Sequence, residues 1–295
     1  MSKPREIRAG RFYMVTRRCT QRMFLLRPDA HCRATFRYCL ALAAERTGVV
    51  VMLPVVMTNH HHTVVYDPEG RIAEFTHYLH HLVARAMNAA RGRWENFWAS
   101  EQVCVVRLDD REAVLRAMVY AATNPIKDHL VARVHQWPGV HGLGDLLRGR
   151  AWQVARPVGF FQRQGPMQAV ATLRLELPEV PMLGDRAQFL DELRARVSAR
   201  EAEITAARGG RRVLGVRAVR AQSPRMAPSS WAPRRGQRPT MAASGWARVE
   251  ALQRDAVFVA RYRAARLAWC AGLAAEFPPG TYWLRRFANI TVAAS

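Results

Sequence analysis

The sequence predicts an α+β fold: a β-α-β-β-α-β sheet with its helices on one face, followed by a basic, mainly helical extension. Two observations carry this. Strand-like apolar stretches alternate with segments of helical period through the first 130 residues or so, and acidic residues then vanish from a long arginine-rich stretch in the last third.

Arg11 to Arg17 alternates and is rich in aromatic and β-branched residues, which predicts a first strand. From about Pro28 to Thr47, Phe36, Cys39, Leu40 and Ala43 recur at helical spacing, and Gly48 suits the left-handed position after a helix. Val49 to Met57 is apolar on both faces, as a buried central strand should be. The histidine segment through Tyr66 reads as a third strand, closed by the turn residues Asp67-Pro68-Glu69-Gly70. Arg71 to Arg91 predicts a long helix, with Ile72, Phe75, Leu79, Leu82, Val83 and Ala86 on one stripe. His80 and His81 fall in it, without acidic or cysteine partners within a turn, and read as surface or packing residues. An aromatic loop, Gly92 to Trp98, leads to a fourth strand, Gln102 to Leu108, and Asp109 or Asp110 then caps a helix reaching Asn124. This order is the split βαβ, ferredoxin-like arrangement, in which the first and third strands are the inner ones.

The third strand opens with Asn59-His60-His61-His62. In extended backbone His60 and His62 share one side of the sheet and His61 faces the other, so the pair can hold one metal ion. A histidine tract can equally be a solvated loop, and the pair needs partners. Tyr120 and Asn124 lie four apart on one face of the following helix and are the candidates. Pro125 places Asn124 at the fraying end of that helix.

Lys and Arg number 45 against 23 Asp and Glu, a formal net charge of +22, which points to a polyanionic partner, most simply nucleic acid. Cys19, Cys32, Cys39, Cys104 and Cys270 form no C-x-x-C pair, which argues against a disulfide framework or zinc ribbon and for a reducing compartment. No apolar run approaches the ~20 residues of a membrane span. A soluble, cytoplasmic protein is expected.

Beyond about residue 135, Trp137, Trp152, Phe160 and Phe161 interleave with Arg148, Arg150, Arg156 and Arg163, a mixture that suits stacking on unpaired bases or packing onto the core. Asp185 to Ala207 predicts an amphipathic helix. The stretch from about 208 to 245, with Arg211, Arg212, Arg234 and Arg235 among Gly, Ser and Pro, predicts a flexible basic arm that orders on a phosphate backbone. A last helix is expected over about Trp246 to Ala275. Two regions follow, 1–135 and a basic extension 136–295.

Residues 10–131 resemble the single-tyrosine HUH transposases, in particular the REP-associated tyrosine transposases. The resemblance rests on Tyr13-Met14-Val15-Thr16-Arg17, on Met57-Thr58-Asn59-His60-His61-His62, on the Trp94 to Trp98 loop and on Tyr120-Ala121-Ala122-Thr123-Asn124-Pro125. It implies an HUH endonuclease fold, His60, His62 and Asn124 as ligands of a divalent metal, Mg²⁺ or Mn²⁺, and Tyr120 as the nucleophile that cuts single-stranded or hairpin DNA through a 5′-phosphotyrosine. Arg17, Arg93 and Lys127 become candidate phosphate contacts, with Arg211, Arg212, Arg234 and Arg235 beyond them. Two departures stand out: His61 occupies a position that is usually apolar, and Thr58 one that is usually proline. A non-catalytic hairpin-binding protein and a replication-initiator or relaxase type of HUH nuclease are the alternatives, and a homodimer is compatible with all three.

Overall fold

The computed structural model describes residues 3–162, 164–230, 241–243 and 245–294. Its first half follows the predicted order: β1 (Arg11–Arg18), α1 (Ala30–Thr47), β2 (Val50–Val56), β3 (His60–Asp67), α2 (Ile72–Arg91), β4 (Cys104–Leu108) and α3 (Arg111–Lys127). The second half supplies α4 (Leu143–Arg148), the hairpin β5 (Ala151–Ala155) and β6 (Val170–Arg174), α5 (Arg186–Arg208), α6 (Val216–Ala221), β7 (Met241–Ala242) and α7 (Gly245–Cys270). Short elements β8 (Glu276–Phe277), α8 (Trp283–Phe287) and β9 (Thr291–Val292) follow.

The central sheet runs β2-β3-β1-β4-β7. Its first four strands pair antiparallel, and β7 lies parallel to β4 through Arg107–Met241 and Leu108–Ala242. β1 and β3 are inner strands, as the element order implied. Val51, Leu53, Val55, Val64 and Val65 are buried, and the β2–β3 register shifts between Val51 and Leu53, a bulge that leaves Met52 extra.

Local chemistry sets the helix ends. Asp29 accepts from the Cys32 N–H at 2.8 Å to start α1, and Gly48, at φ 67°, ends it in the left-handed conformation. Asp110 accepts from the Ala113 N–H at 2.6 Å to start α3. Asp67, buried at the end of β3, accepts from the N–H groups of Arg71 and Ile72 at the head of α2.

Not all helices share a face. α1 and α2 pack together over one side of the sheet, where Phe36 and His80 meet His61. α3 covers the other side, where it meets β2 and β3, and α5 packs outside it. The two helices of the β-α-β-β-α-β order, α1 and α2, thus share one face, and the helix that follows it takes the other. α3 crosses over because its apolar stripe, with Val114, Leu115, Met118, Ala121 and Ala122 buried, has the second sheet face left to cover.

No break in the core falls near residue 135. One buried cluster runs from Phe12 to Val219. Val56 N–H donates to Val140 at 2.9 Å, Glu176 N–H donates to Val51 at 3.2 Å, and the Trp137 indole N–H donates to the Val56 carbonyl at 3.0 Å. The hairpin β5–β6 packs on α1, with Arg37 over the Trp152 ring.

The stretch read as a flexible arm is tied down over much of its described part. Leu214 and Gly215 donate to His129 and Leu130, Val219 is fully buried, the Arg27 guanidinium donates to Gln222, and Phe24 N–H donates to Met226 at 2.8 Å. Arg234 and Arg235 lie outside the described residues. Among the described residues no cysteine is in a disulfide, and no helix is long and apolar enough to cross a membrane.

Candidate active site

Residues 57–60 form a tight connection between β2 and β3, in which Met57 N–H donates to the His60 carbonyl at 2.8 Å. The segment after β1 locks it in place: Cys19 N–H donates to Asn59, Leu26 N–H donates to Thr58, and the Asn59 side-chain amide donates to Arg22. His60 and His62 thus stand at the first and third positions of an inner strand.

Register places Thr16 of β1 opposite His62, and their side chains meet: Thr16 Oγ1 is 2.7 Å from His62 Nδ1. His60 Nδ1 lies 2.7 Å from Asn59 Oδ1, an acceptor, so His60 carries its proton on Nδ1 and presents a bare Nε2. With His62 Nδ1–H donating to Thr16, its Nε2 is bare as well, and it accepts from Asn124 Nδ2 at 2.8 Å. The two rings sit 4.9 Å apart, centre to centre, at 81°. Burial, with Arg18 nearby, holds the His60 imidazole down to about 4; burial, with His60, His61 and Lys127 nearby, pushes His62 well below its usual value. Both rings are therefore neutral at pH 7, the state in which an imidazole binds a metal.

The donor set fits a divalent cation. Two Nε2 atoms have their opposite nitrogens fixed by side-chain oxygens, the arrangement that orients metal-binding histidines. A half-turn of the Asn124 amide exchanges Nδ2 for Oδ1 and supplies a third, oxygen donor. Among the described residues no three His, Cys, Asp or Glu side chains are grouped to hold a metal, and a third protein donor beside His60 and His62 would have to be this amide. Such a mixed nitrogen and oxygen set admits Mn²⁺ or Mg²⁺, with open positions for other oxygens.

α3 delivers the remaining groups. Tyr120 and Asn124 project from successive turns onto His62, with the phenol ring 5.2 Å from the imidazole at 75°. Tyr120 keeps 40% of its surface exposed, while Asn124 keeps 2%. The Lys127 ammonium lies 4.9 Å from the centre of the Tyr120 ring. Asn124 does not fray. α3 continues through Pro125 to Lys127, and His141 Nε2 donates to the Ala122 carbonyl at 3.0 Å beside the place where proline removes a helical N–H.

His61 points away, as alternation required. Arg17 donates to His80 Nδ1 at 3.3 Å, so His80 Nε2–H donates to His61 Nε2 at 2.9 Å, and His61 Nδ1–H donates to Thr63 at 3.0 Å. His61 and His80 are thus buried packing residues that fix each other's tautomer, and burial, with His60 and Arg17 nearby, holds His61 down to about 3.

These groups open onto a cleft of about 1330 Å³ that includes His60, His62 and Tyr120, with residues 218–230 as one wall. The other expected phosphate contacts are placed differently. Arg17 is half-buried, its guanidinium 5.7 Å from the Trp98 ring on the α1/α2 side, and it also lines the cleft. Arg93 is half-buried just after α2, and Arg211 and Arg212 are exposed between α5 and α6; none of the three lines the cleft. Arg18 and Arg22 do line it. Neither they nor the contact of Thr16 with His62 carried a sequence signal, because their place depends on strand register and on the turn after β1.

No family model and no curated protein matches the chain. Among solved structures, the chain is similar to a REP-associated tyrosine transposase bound to a REP hairpin, at 19% identity and a TM-score of 0.40, over 57% of this chain and 96% of that one. It is also similar to a putative transposase from Deinococcus radiodurans R1, at 20% identity and a TM-score of 0.29, over 38% of this chain and 89% of that one.

Proposed function

We propose that the chain is a transposase-type DNA-processing enzyme of the single-tyrosine HUH class, built on a ferredoxin-like core, which cleaves and rejoins single-stranded or hairpin DNA. The observation that supports this best is the convergence of Tyr120 and Asn124 from α3 on His62, with His60 beside it, at the edge of an open basic cleft.

In this reading the Tyr120 oxygen attacks the scissile phosphorus. A Tyr–O–P bond forms, the bond from phosphorus to the 3′-oxygen breaks, the phenolic proton leaves, and the departing 3′-oxygen takes up a proton. The 3′-hydroxyl reverses the reaction by attacking the phosphotyrosine, so rejoining consumes no nucleotide cofactor. His60, His62 and Asn124 would hold the divalent ion, Mg²⁺ or Mn²⁺. Bound there, it would supply Lewis-acid stabilisation of charge on the phosphate oxygens. The chain's own residues do the rest: Asn59 and Thr16 orient the imidazoles, Lys127 places a positive charge beside the phenol, and Arg18 and Arg22 line the approach of the strand.

Labelled hairpin DNA incubated with wild type and Tyr120→Phe, with Mg²⁺ or Mn²⁺ or with EDTA, tests the reading on a denaturing protein gel. A metal-dependent, detergent-resistant adduct in wild type alone is expected. An adduct that persists in Tyr120→Phe refutes the assigned nucleophile; DNA that shifts on a native gel but never becomes attached leaves a binding protein instead.

A further inference from the structure

We propose that a second cationic groove, at the opposite end of β1 from the histidines, binds the phosphodiester backbone of duplex DNA. It rests on the DNA-processing reading above and gives the C-terminal helix a role. Two adjoining cavities, of about 570 and 730 Å³, share Arg8 and Arg11. Arg254 and Arg261 of α7 line the first, and Arg285 and Arg286 of α8 line the second.

Part of the charge here is spent within the fold, where Arg8 pairs with Glu6 and Arg286 with Glu74, and part is not. Of the acidic side chains in the two cavities, Glu6 is held by Arg8 at 2.6 Å and Arg107 at 2.9 Å, and Glu69 lies 3.8 Å from Arg71; Glu250 is the third. Among the described residues Arg11, Arg254, Arg261 and Arg285 are exposed and make no ion pair. Arg254 and Arg261 are seven apart, on one helix face and about 10.5 Å from each other along the axis. Exposed guanidiniums so arranged reach phosphates about three nucleotides apart on one strand, at roughly 3.4 Å of axis per nucleotide, without reading bases.

Duplex is favoured over a single strand by stiffness, because a stem holds its phosphates at fixed spacing whereas a flexible strand must be ordered to meet the same guanidiniums. Arg11 and Thr16 are five residues apart on an extended strand, about 17 Å, so one bound molecule touching both the groove and the Thr16–His62 site is at least that long. Base pairs rise by about 3.4 Å, so a stem of roughly five pairs beside the cleaved strand has that length.

The full chain and the double variant R254A/R261A are compared by fluorescence anisotropy, over a salt series, on a hairpin with a stem of about ten pairs and on a single strand of equal length. The wild type is expected to prefer the stem. The variant should lose that preference, and its slope of log Kd against log salt should fall by about 2, close to one counterion per lost phosphate contact. R254K/R261K should keep most of the slope, which separates charge from misfolding. Equal slopes and equal stem preference in wild type and R254A/R261A overturn the proposal, as does displacement of the stem by polyglutamate more readily than by unlabelled duplex. Failure of the cleft reading shows separately, as absence of a Tyr120 adduct in the wild type, and leaves the slope comparison intact.

Discussion

Thr16 Oγ1 stands 2.7 Å from His62 Nδ1, so a residue on β1 fixes which nitrogen of the β3 histidine faces the cleft. Thr16→Val keeps the shape of the side chain and removes the acceptor. The buried His62 N–H is then left unpaired, at a cost of about 1–3 kcal/mol in stability, and metal affinity should fall by about 10- to 100-fold. Titration of Mn²⁺ against adduct formation, alongside urea denaturation, measures both.

Asn124→Ala should raise the metal concentration needed for adduct formation, while Asn124→Asp, which keeps an oxygen donor and adds charge, should lower it below that of the alanine variant. Equal metal dependence in the two variants would remove Asn124 from the ligand set. The comparison is informative because Asn124 is buried against His62 and makes no contact with solvent that either change would alter much.

Asp29 supplies a pH-dependent part of the stability. Burial alone would push its carboxyl up, but the Cys32 N–H, Arg91 at 2.6 Å and Arg27 outweigh that and hold it below the usual carboxylate range. A lowered pKa in the folded state means the contribution is present above the unfolded value of about 4 and is lost as pH falls through the folded value. Asp29→Asn keeps the helix cap and loses the ion pairs, so it should cost about 1–2 kcal/mol at pH 7 and little at the acid end of the range. Chemical denaturation at the two pH values checks the sign.

Gly139→Ala should destabilise the join between β2 and the second half of the chain. A Cβ there would come within 2.5 Å of the Trp137 indole nitrogen and 2.8 Å of the Val56 carbonyl, the two groups bonded to each other. The clash has backbone on one side and a hydrogen-bonded ring on the other, so about 1–3 kcal/mol is expected in thermal or urea unfolding.

Much of this was legible in the sequence because period alone determines it. Alternation along β3 separated His61 from His60 and His62, and a spacing of four brought Tyr120 and Asn124 to one helix face. What periodicity cannot carry is pairing between distant segments. Thr16 meets His62 only through the β1–β3 register, and the cleft wall at 218–230 depends on backbone bonds to residues near 24 and 129, far off in sequence. Pro125 misled about Asn124 for a local reason: a proline near the end of a helix costs one hydrogen bond, and neighbouring packing absorbed it. His80 read as surface or packing because its partner, His61, lies nineteen residues away on another element.

β7 contributes two residues to the sheet, yet their place beside β4 has a temporal consequence. A ribosome that has released the first 135 residues has delivered Tyr120 and both histidines but neither the cleft wall nor the strand that covers the β4 edge. Until residues 241–242 emerge, that edge offers unpaired backbone to any passing strand, the ordinary starting point of misassembly. The cleft wall and the cover over the end of β4 are thereby completed late in synthesis, and a chain cut short before β7 should be prone to clump.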